Sequence, residues 1–187
     1  MTPLELLWNG WRATYVTSGG AAGGVGRDDV ATGRGSVFSR ILASHLPDED
    51  THIVHRGEHV FAILNAFPYA VGHVLVIPYR EVGELEALTA DEAADLWATV
   101  TDTVVALKDA LRPEGVNVGV NLGKPAGGSV SEHLHVHVVP RWTGDANFMT
   151  VTANTRTLPE ALPDSAAKIR SAWPTARSLD REETSDE

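Results

Sequence analysis

The stretch Glu132-His133-Leu134-His135-Val136-His137-Val138-Val139-Pro140 constrains the fold of this chain more than any other segment, because it repeats with period two. Side chains of a β-strand alternate between its two faces. A strand over His133–Val139 therefore sends His133, His135 and His137 one way and Leu134, Val136 and Val138 the other. The apolar edge demands a packed core, and the imidazole edge demands a surface on which three polar rings are tolerated. Packing alone gives no reason to place three imidazoles in strict alternation, so the Leu134, Val136 and Val138 face is expected to meet the core and the histidine face to carry chemistry.

The remaining elements follow the same period arguments. Thr51–His55, Val60–Asn65, His73–Pro78 and Val116–Leu122 read as strands, with a tight turn at Gly57-Glu58 and a break at Phe67-Pro68-Tyr69 with Gly72. Between the third and fourth strands lies the strongest helical signal. Thr89-Ala90-Asp91-Glu92 is a capping box, Ala93, Leu96, Trp97, Val100, Val104, Leu107 and Leu111 form an apolar stripe, and Pro113 and Gly115 end the helix. Shorter helices are expected over Phe38–Ala43 and Pro159–Ala172. Short links between the early strands favour antiparallel pairing, so the class is α+β: an antiparallel sheet of about five strands with one long helix and one or two shorter ones.

Three regions emerge. Residues 1–35 combine a short amphipathic segment (Leu7, Trp8, Trp11, Tyr15) with a Gly-rich linker at Ser18–Gly26, which has no preceding strand and no following GK[ST] to make it a phosphate loop. Residues 36–174 hold the folded domain. Residues 175–187 carry five acids and two bases and read as an acidic, disordered tail.

Composition closes off several function classes. There is no cysteine, so neither a disulfide framework nor a thiolate metal site can form. The 25 acidic against 15 basic residues leave a net charge of −10, which opposes sequence-independent binding to nucleic acid. No apolar run approaches the ~20 residues that span a bilayer, and the opening Met1-Thr2-Pro3-Leu4-Glu5 lacks a signal-peptide pattern, so a cytoplasmic protein is expected. An acidic chain can still bind an anion through a small, pre-built site.

Two chemistries suit the three histidines. They could ligate a metal. Alternatively, one neutral imidazole attacks phosphorus while its neighbours donate hydrogen bonds to phosphate oxygens and to the departing group. The surroundings favour the second. Gly127-Gly128-Ser129 offers backbone N–H groups and a hydroxyl without bulk, Asn121 adds a neutral amide, and Glu132 falls on the face opposite the histidines.

The heptad His133–Val139 has the His-φ-His-φ-His-φ-φ pattern of the histidine triad (HIT) nucleotide hydrolases and transferases, and the chain resembles that family elsewhere too. Asn65 to Pro78, with Pro68, Gly72, His73, Leu75 and Val76, is similar to the family's earlier segment. Leu7–Tyr15, Asn121-Leu122-Gly123 with Gly127-Gly128-Ser129, and Pro140–Phe148 resemble the bacterial branch containing diadenosine tetraphosphate phosphorylases. The resemblance implies a HIT-like fold and an enzyme in which His135 forms a nucleotidyl–histidine intermediate. It implies that His133 and His137 orient His135 and contact phosphate oxygens, that Asn121, Gly128 and Ser129 bind phosphate, that Asn65 lies near the ribose and that His73 supports the site. His45, His52, His55 and His59 match no motif position and are read as solvated.

The resemblance further implies a nucleotide substrate, inorganic phosphate as the favoured acceptor, and a homodimer or homotetramer; no cofactor is expected to be tightly bound. Hydrolysis of dinucleoside polyphosphates or phosphoramidates, and a non-catalytic nucleotide-binding module, are the alternatives. Many relatives carry Cys-x-x-Cys near the domain start as half of a structural zinc site. Here Ser36 and Ser39 stand in its place, so that zinc is not expected, and packing through Phe38 and Ile41 is expected to stabilise this end.

Overall fold

A computed structural model describes residues 35–127, 130–145 and 160–175. The expected N-terminal helical segment and linker, the acidic tail from 176, and the turn residues Gly128 and Ser129 lie outside the described residues. The described elements are helices α1 (Val37–Ala43) and α2 (Asp48–Thr51), strands β1 (Ile53–Arg56), β2 (Val60–Leu64) and β3 (Val74–Pro78), helix α3 (Ala90–Leu111), strands β4 (Gly115–Val120) and β5 (Val136–Arg141), and helix α4 (Leu162–Ser171). The strands form one antiparallel sheet in the order β1-β2-β3-β5-β4.

Period two sorts the sheet into two faces. Val54, Val60, Ala62, Leu64, Val74, Val76, Leu134, Val136 and Val138 form one core with Leu96, Val100, Ala106 and Leu107 of α3 and Ala166 and Ile169 of α4. Ile53, Phe61, Ile63, Leu75 and Ile77 form a second core on the other face, closed by Phe38 of α1. His73, two residues before Leu75, and Asn65, two after Ile63, fall on this second face. Gly72 turns the chain into β3 with φ +73°, and a Cβ there would stand 2.3 Å from the Leu111 side chain. Only glycine lets this turn press against the end of α3.

Three local expectations change. Thr51 ends α2 rather than opening a strand, because Pro47 followed by Asp48, Glu49 and Asp50 suits a helical first turn. Trp97 is 48% exposed, while Thr99 and Thr103 are buried. The buried stripe of α3 is thus rotated away from Trp97, and the Thr103 hydroxyl is satisfied by donating to the Thr99 carbonyl. Finally, β5 begins at Val136, so His133 and His135 precede it. The last β3–β5 pair is Val76 with Val136. Pro78, next in step, has no N–H to offer residue 134, and the Leu134 N–H donates instead to the Val82 carbonyl at 2.6 Å.

The capping box forms as the sequence predicts, with Thr89 accepting from the Glu92 N–H and Glu92 accepting from the Thr89 N–H. Arg80 adds a bidentate pair to Glu92 at 2.6 and 2.8 Å, joining the segment after β3 to the start of α3. Among the described residues, no helix is long and apolar enough to cross a membrane. The Arg80 hydrogen bonds lower the Glu92 carboxyl from 4.5 to about 2. That stability is present above 4.5 and is lost as pH falls towards 2. Glu92→Gln should therefore lower Tm at pH 7, with the difference from wild type shrinking as the pH of the melt falls below 4.5.

Candidate active site

The three histidines and His73 converge on the second face of the sheet, and their hydrogen bonds assign the tautomers. His135 Nδ1 lies 2.8 Å from the carbonyl oxygen of His133. A carbonyl only accepts, so His135 carries its proton on Nδ1, and in the neutral ring Nε2 is a bare lone pair. His135 is 6% exposed, and burial pushes its pKa below the ordinary 6.5, with a smaller push the same way from His133, against the hydrogen bond to the His133 carbonyl. Burial thus favours the neutral ring, and Nε2 is not engaged by that bond.

His137 has the opposite tautomer. The Tyr69 backbone N–H donates to His73 Nδ1 at 3.0 Å, so the His73 proton sits on Nε2. That N–H points at His137 Nδ1, 3.0 Å away, leaving the His137 proton on Nε2. His73 is fully buried, and Asn65 lies beside its ring, with the Asn65 amide oxygen accepting from the Phe67 N–H at 3.0 Å. The Asn121 amide is 3.3 Å from His137 Nε2. With the proton on Nε2, Asn121 faces it through its oxygen, since the two ends of an amide are interchangeable in such a placement.

His137 pairs with Leu75 on one side and Gly119 on the other. Among the described residues, a Cβ at Gly119 would meet nothing within 4 Å. The Tyr69 ring is stacked near His137, with centroids 5.8 Å apart and a 12° interplanar angle, and tilts against His73. His135 and His137 meet edge-on at 4.9 Å.

His133 is fully buried, and both its ring nitrogens are engaged. Nε2–H donates to the Pro78 carbonyl at 2.8 Å, and Nδ1 accepts from the Ser36 hydroxyl at 2.6 Å. Burial lowers its pKa below 6.5, against the Pro78 bond and the charges of Glu81 and Glu132. The His133 carbonyl accepts from His135 Nδ1, so the two histidines are linked through the main chain. Both ring nitrogens of His133 thus have protein partners, Pro78 and Ser36.

The structure thus brings together His133, His135, His137, His73, Asn65 and Asn121; Gly128 and Ser129 lie outside the described residues. His55 is corrected from a solvated residue: it stacks on Trp173 at 4.4 Å and is half-buried. Arg141 is engaged by Asp145 and Asn117 rather than free for an anion. Sequence reasoning missed Glu81, which sits just beyond a strand end with no periodic signal, and the part played by the Ser36 hydroxyl, although Ser before a helical segment is a recognisable N-cap.

Residues 47–144 match the family model of the HIT domain. The chain belongs to the histidine triad (HIT) family. It is 43% identical over 171 residues to the AP-4-A phosphorylase of Mycobacterium tuberculosis (strain H37Rv), covering 91% of this chain and 85% of that protein. It is 37% identical over 81 residues to the bis(5'-adenosyl)-triphosphatase of Dictyostelium discoideum, covering 43% of this chain and 54% of that one. Among solved structures, a HIT-like protein from Bartonella henselae superposes with a TM-score of 0.62 at 27% identity, covering 76% of this chain and 98% of that chain. A zinc-bound histidine triad family protein from Mycobacterium smegmatis superposes with a TM-score of 0.59 at 29% identity, covering 73% and 91%. The relatives that carry activity names are enzymes of the HIT family.

Because burial holds His133 and His135 below 6.5, they resist protons that the unfolded chain accepts. Folding stability should fall as pH drops below 6.5. Titration of the histidine ring protons by NMR should place both midpoints below 6.5; a His135 midpoint above that value would contradict the burial argument.

Proposed function

We propose that this protein cleaves dinucleoside polyphosphates through a nucleotidyl–histidine intermediate, and that its reaction is phosphorolysis of diadenosine tetraphosphate to ATP and ADP. The observation that carries the reading is the His135 tautomer: Nδ1–H is tied to a backbone carbonyl, and Nε2 is a neutral lone pair in a buried setting. Similarity over 91% of the chain to an AP-4-A phosphorylase supports the choice of reaction.

In the first step, His135 Nε2 attacks the α-phosphorus. An N–P bond forms, the bond from phosphorus to the α–β bridging oxygen breaks, and ATP leaves with AMP held on the imidazole. His137 Nε2–H, set by the His73 hydrogen bond, exchanges its 3.3 Å contact with Asn121 for the oxygen that departs and donates to it. In the second step an oxygen of inorganic phosphate attacks the same phosphorus, the N–P bond breaks and ADP forms. Asn121, with Gly128 and Ser129, binds phosphate oxygens; these neutral groups accommodate an anion on a protein of net charge −10. Asn65 lies towards the ribose. Hydrolysis to ATP and AMP is the second reading, favoured by similarity to a bis(5'-adenosyl)-triphosphatase.

No zinc enters this scheme. Structural zinc takes thiolates and imidazoles, whereas the donors here are two alcohol oxygens, Ser36 Oγ and Ser39 Oγ, and a His133 Nδ1 already bonded to one of them. That donor set does not fit the ion.

The proposed assembly is a homodimer joined through β4, one of the two edge strands of the sheet. It exposes Val118 at 43%, and Leu122 just beyond it at 41%, and an uncovered edge invites a second copy. Val118→Lys should shift the sedimentation coefficient towards that of a monomer; a wild type already monomeric at micromolar concentration would remove the dimer.

Product analysis tests the chemistry. Incubation with diadenosine tetraphosphate should yield ADP and ATP only when phosphate is added, and His135→Ala should lower kcat by about 10³-fold or more while still binding nucleotide. AMP and ATP at an unchanged rate without phosphate would make the enzyme a hydrolase. Absence of turnover in wild type under both conditions would reject the reading.

A further inference from the structure

The Ser36 hydroxyl that bonds His133 is one link in a longer polar chain. Glu81 Oε2 accepts from the Ser39 hydroxyl at 2.6 Å and from the Ser36 N–H at 2.9 Å. Ser36 Oγ in turn accepts from the Ser39 N–H at 3.2 Å, capping α1. The proton positions in this chain are forced. His133 Nε2 faces a carbonyl and must be the N–H, so neutral Nδ1 must accept, and the Ser36 hydroxyl must be its donor. Ser39 gives its own hydrogen to Glu81, so its oxygen, 3.2 Å from Ser36 Oγ, is the second acceptor within reach of the Ser36 hydroxyl; His133 Nδ1, much closer at 2.6 Å, takes that hydrogen.

The segment bearing Glu81 also grips the backbone beside the triad. Val82 accepts the Leu134 N–H at 2.6 Å. Gly83 lies so close that a Cβ would stand 2.8 Å from the Ser131 carbonyl oxygen. His133 precedes the β5 ladder, so among the described residues no strand pairing fixes its carbonyl. The carbonyl is held instead by the Leu134 bond and by the His133 ring, bolted between Pro78 and Ser36. Phe38, two residues into α1, packs edge-on to His133 at 5.5 Å and against His135 at 5.4 Å, so the same helix both caps on and presses on the site.

We infer that Ser36 and Glu81 are positioning residues for the nucleophile: Glu81 anchors Ser36, Ser36 bolts the His133 ring, and the His133 carbonyl thereby holds His135 in its Nδ1–H form. Hydrogen bonds among two serines, a carboxylate and an imidazole fasten this end of the domain to the triad. Ser36 is 2% exposed, so removing its hydroxyl leaves a buried imidazole nitrogen unpaired. The kinetic half of this inference rests on His135 being the nucleophile proposed above; the tautomer half does not.

The full chain with ¹⁵N-labelled histidine provides the test. In wild type, long-range ¹⁵N–¹H correlation should show His135 as the Nδ1–H form and His133 as the Nε2–H form. Ser36→Ala should turn His135 into a mixture of tautomers and lower kcat about tenfold or more with KM changed by less than about threefold. Ser36→Thr keeps both hydroxyl and cap and should restore both signals. Glu81→Gln, at an exposed carboxylate, should shift the His135 tautomer the same way to a smaller extent, and it carries the test if Ser36→Ala does not fold. Retention of the pure Nδ1–H form in folded Ser36→Ala or in Glu81→Gln would overturn the inference, as would equal losses in Ser36→Ala and Ser36→Thr. A wild type without turnover would sink the proposed function and leave the tautomers to decide this one.

Discussion

The contact on which this site depends is a single hydrogen bond between neighbours in sequence, His135 Nδ1–H to the carbonyl of His133. It decides which nitrogen of the middle imidazole is free, and it needs that carbonyl to be stationary. A carbonyl inside a β-ladder is held by the sheet, but this one lies just outside it. The surroundings of His133 can be understood as what keeps one oxygen in place: the ring bonds to Pro78 and Ser36, the Leu134 bond to Val82, and the packing of Phe38.

The four imidazoles share one face yet differ in role because their partners differ. His73 receives a backbone N–H and therefore donates to His137, which therefore keeps its proton on Nε2. His135 faces a carbonyl and keeps its proton on Nδ1. One main-chain donor and one main-chain acceptor thus give adjacent rings opposite polarity, one a lone pair and the other a proton donor. Burial keeps His133 and His135 neutral, so the pattern is not lost to protonation near neutral pH.

The sheet makes this possible by dividing its faces unequally. α3 and α4 cover one face against the first core. The second core is closed by Phe38 over β1, β2 and β3, while β4 remains largely exposed beside the histidine strand. Gly119 stands opposite His137 and adds no side chain to that face. Polar rings are tolerated there because each finds a hydrogen-bond partner, which removes the main cost of burying them.

The sequence by itself determined the antiparallel α+β class, the long capped helix, the face shared by His133, His135 and His137, and the family. These rest on periodicity and on short motifs, which are local properties. It also placed Asn65, His73 and Asn121 near the triad through motif resemblance. Tertiary structure alone decided the tautomers, since each follows from a partner distant in sequence or a main-chain group with no sequence signature: Tyr69 N–H for His73, Pro78 carbonyl and Ser36 for His133. It also decided that Trp97 faces solvent, that His55 stacks on Trp173, that the histidine strand begins only at Val136, and that Glu81 reaches the site. Alternation tells which side of a strand a residue occupies; what meets it there depends on how the rest of the chain returns.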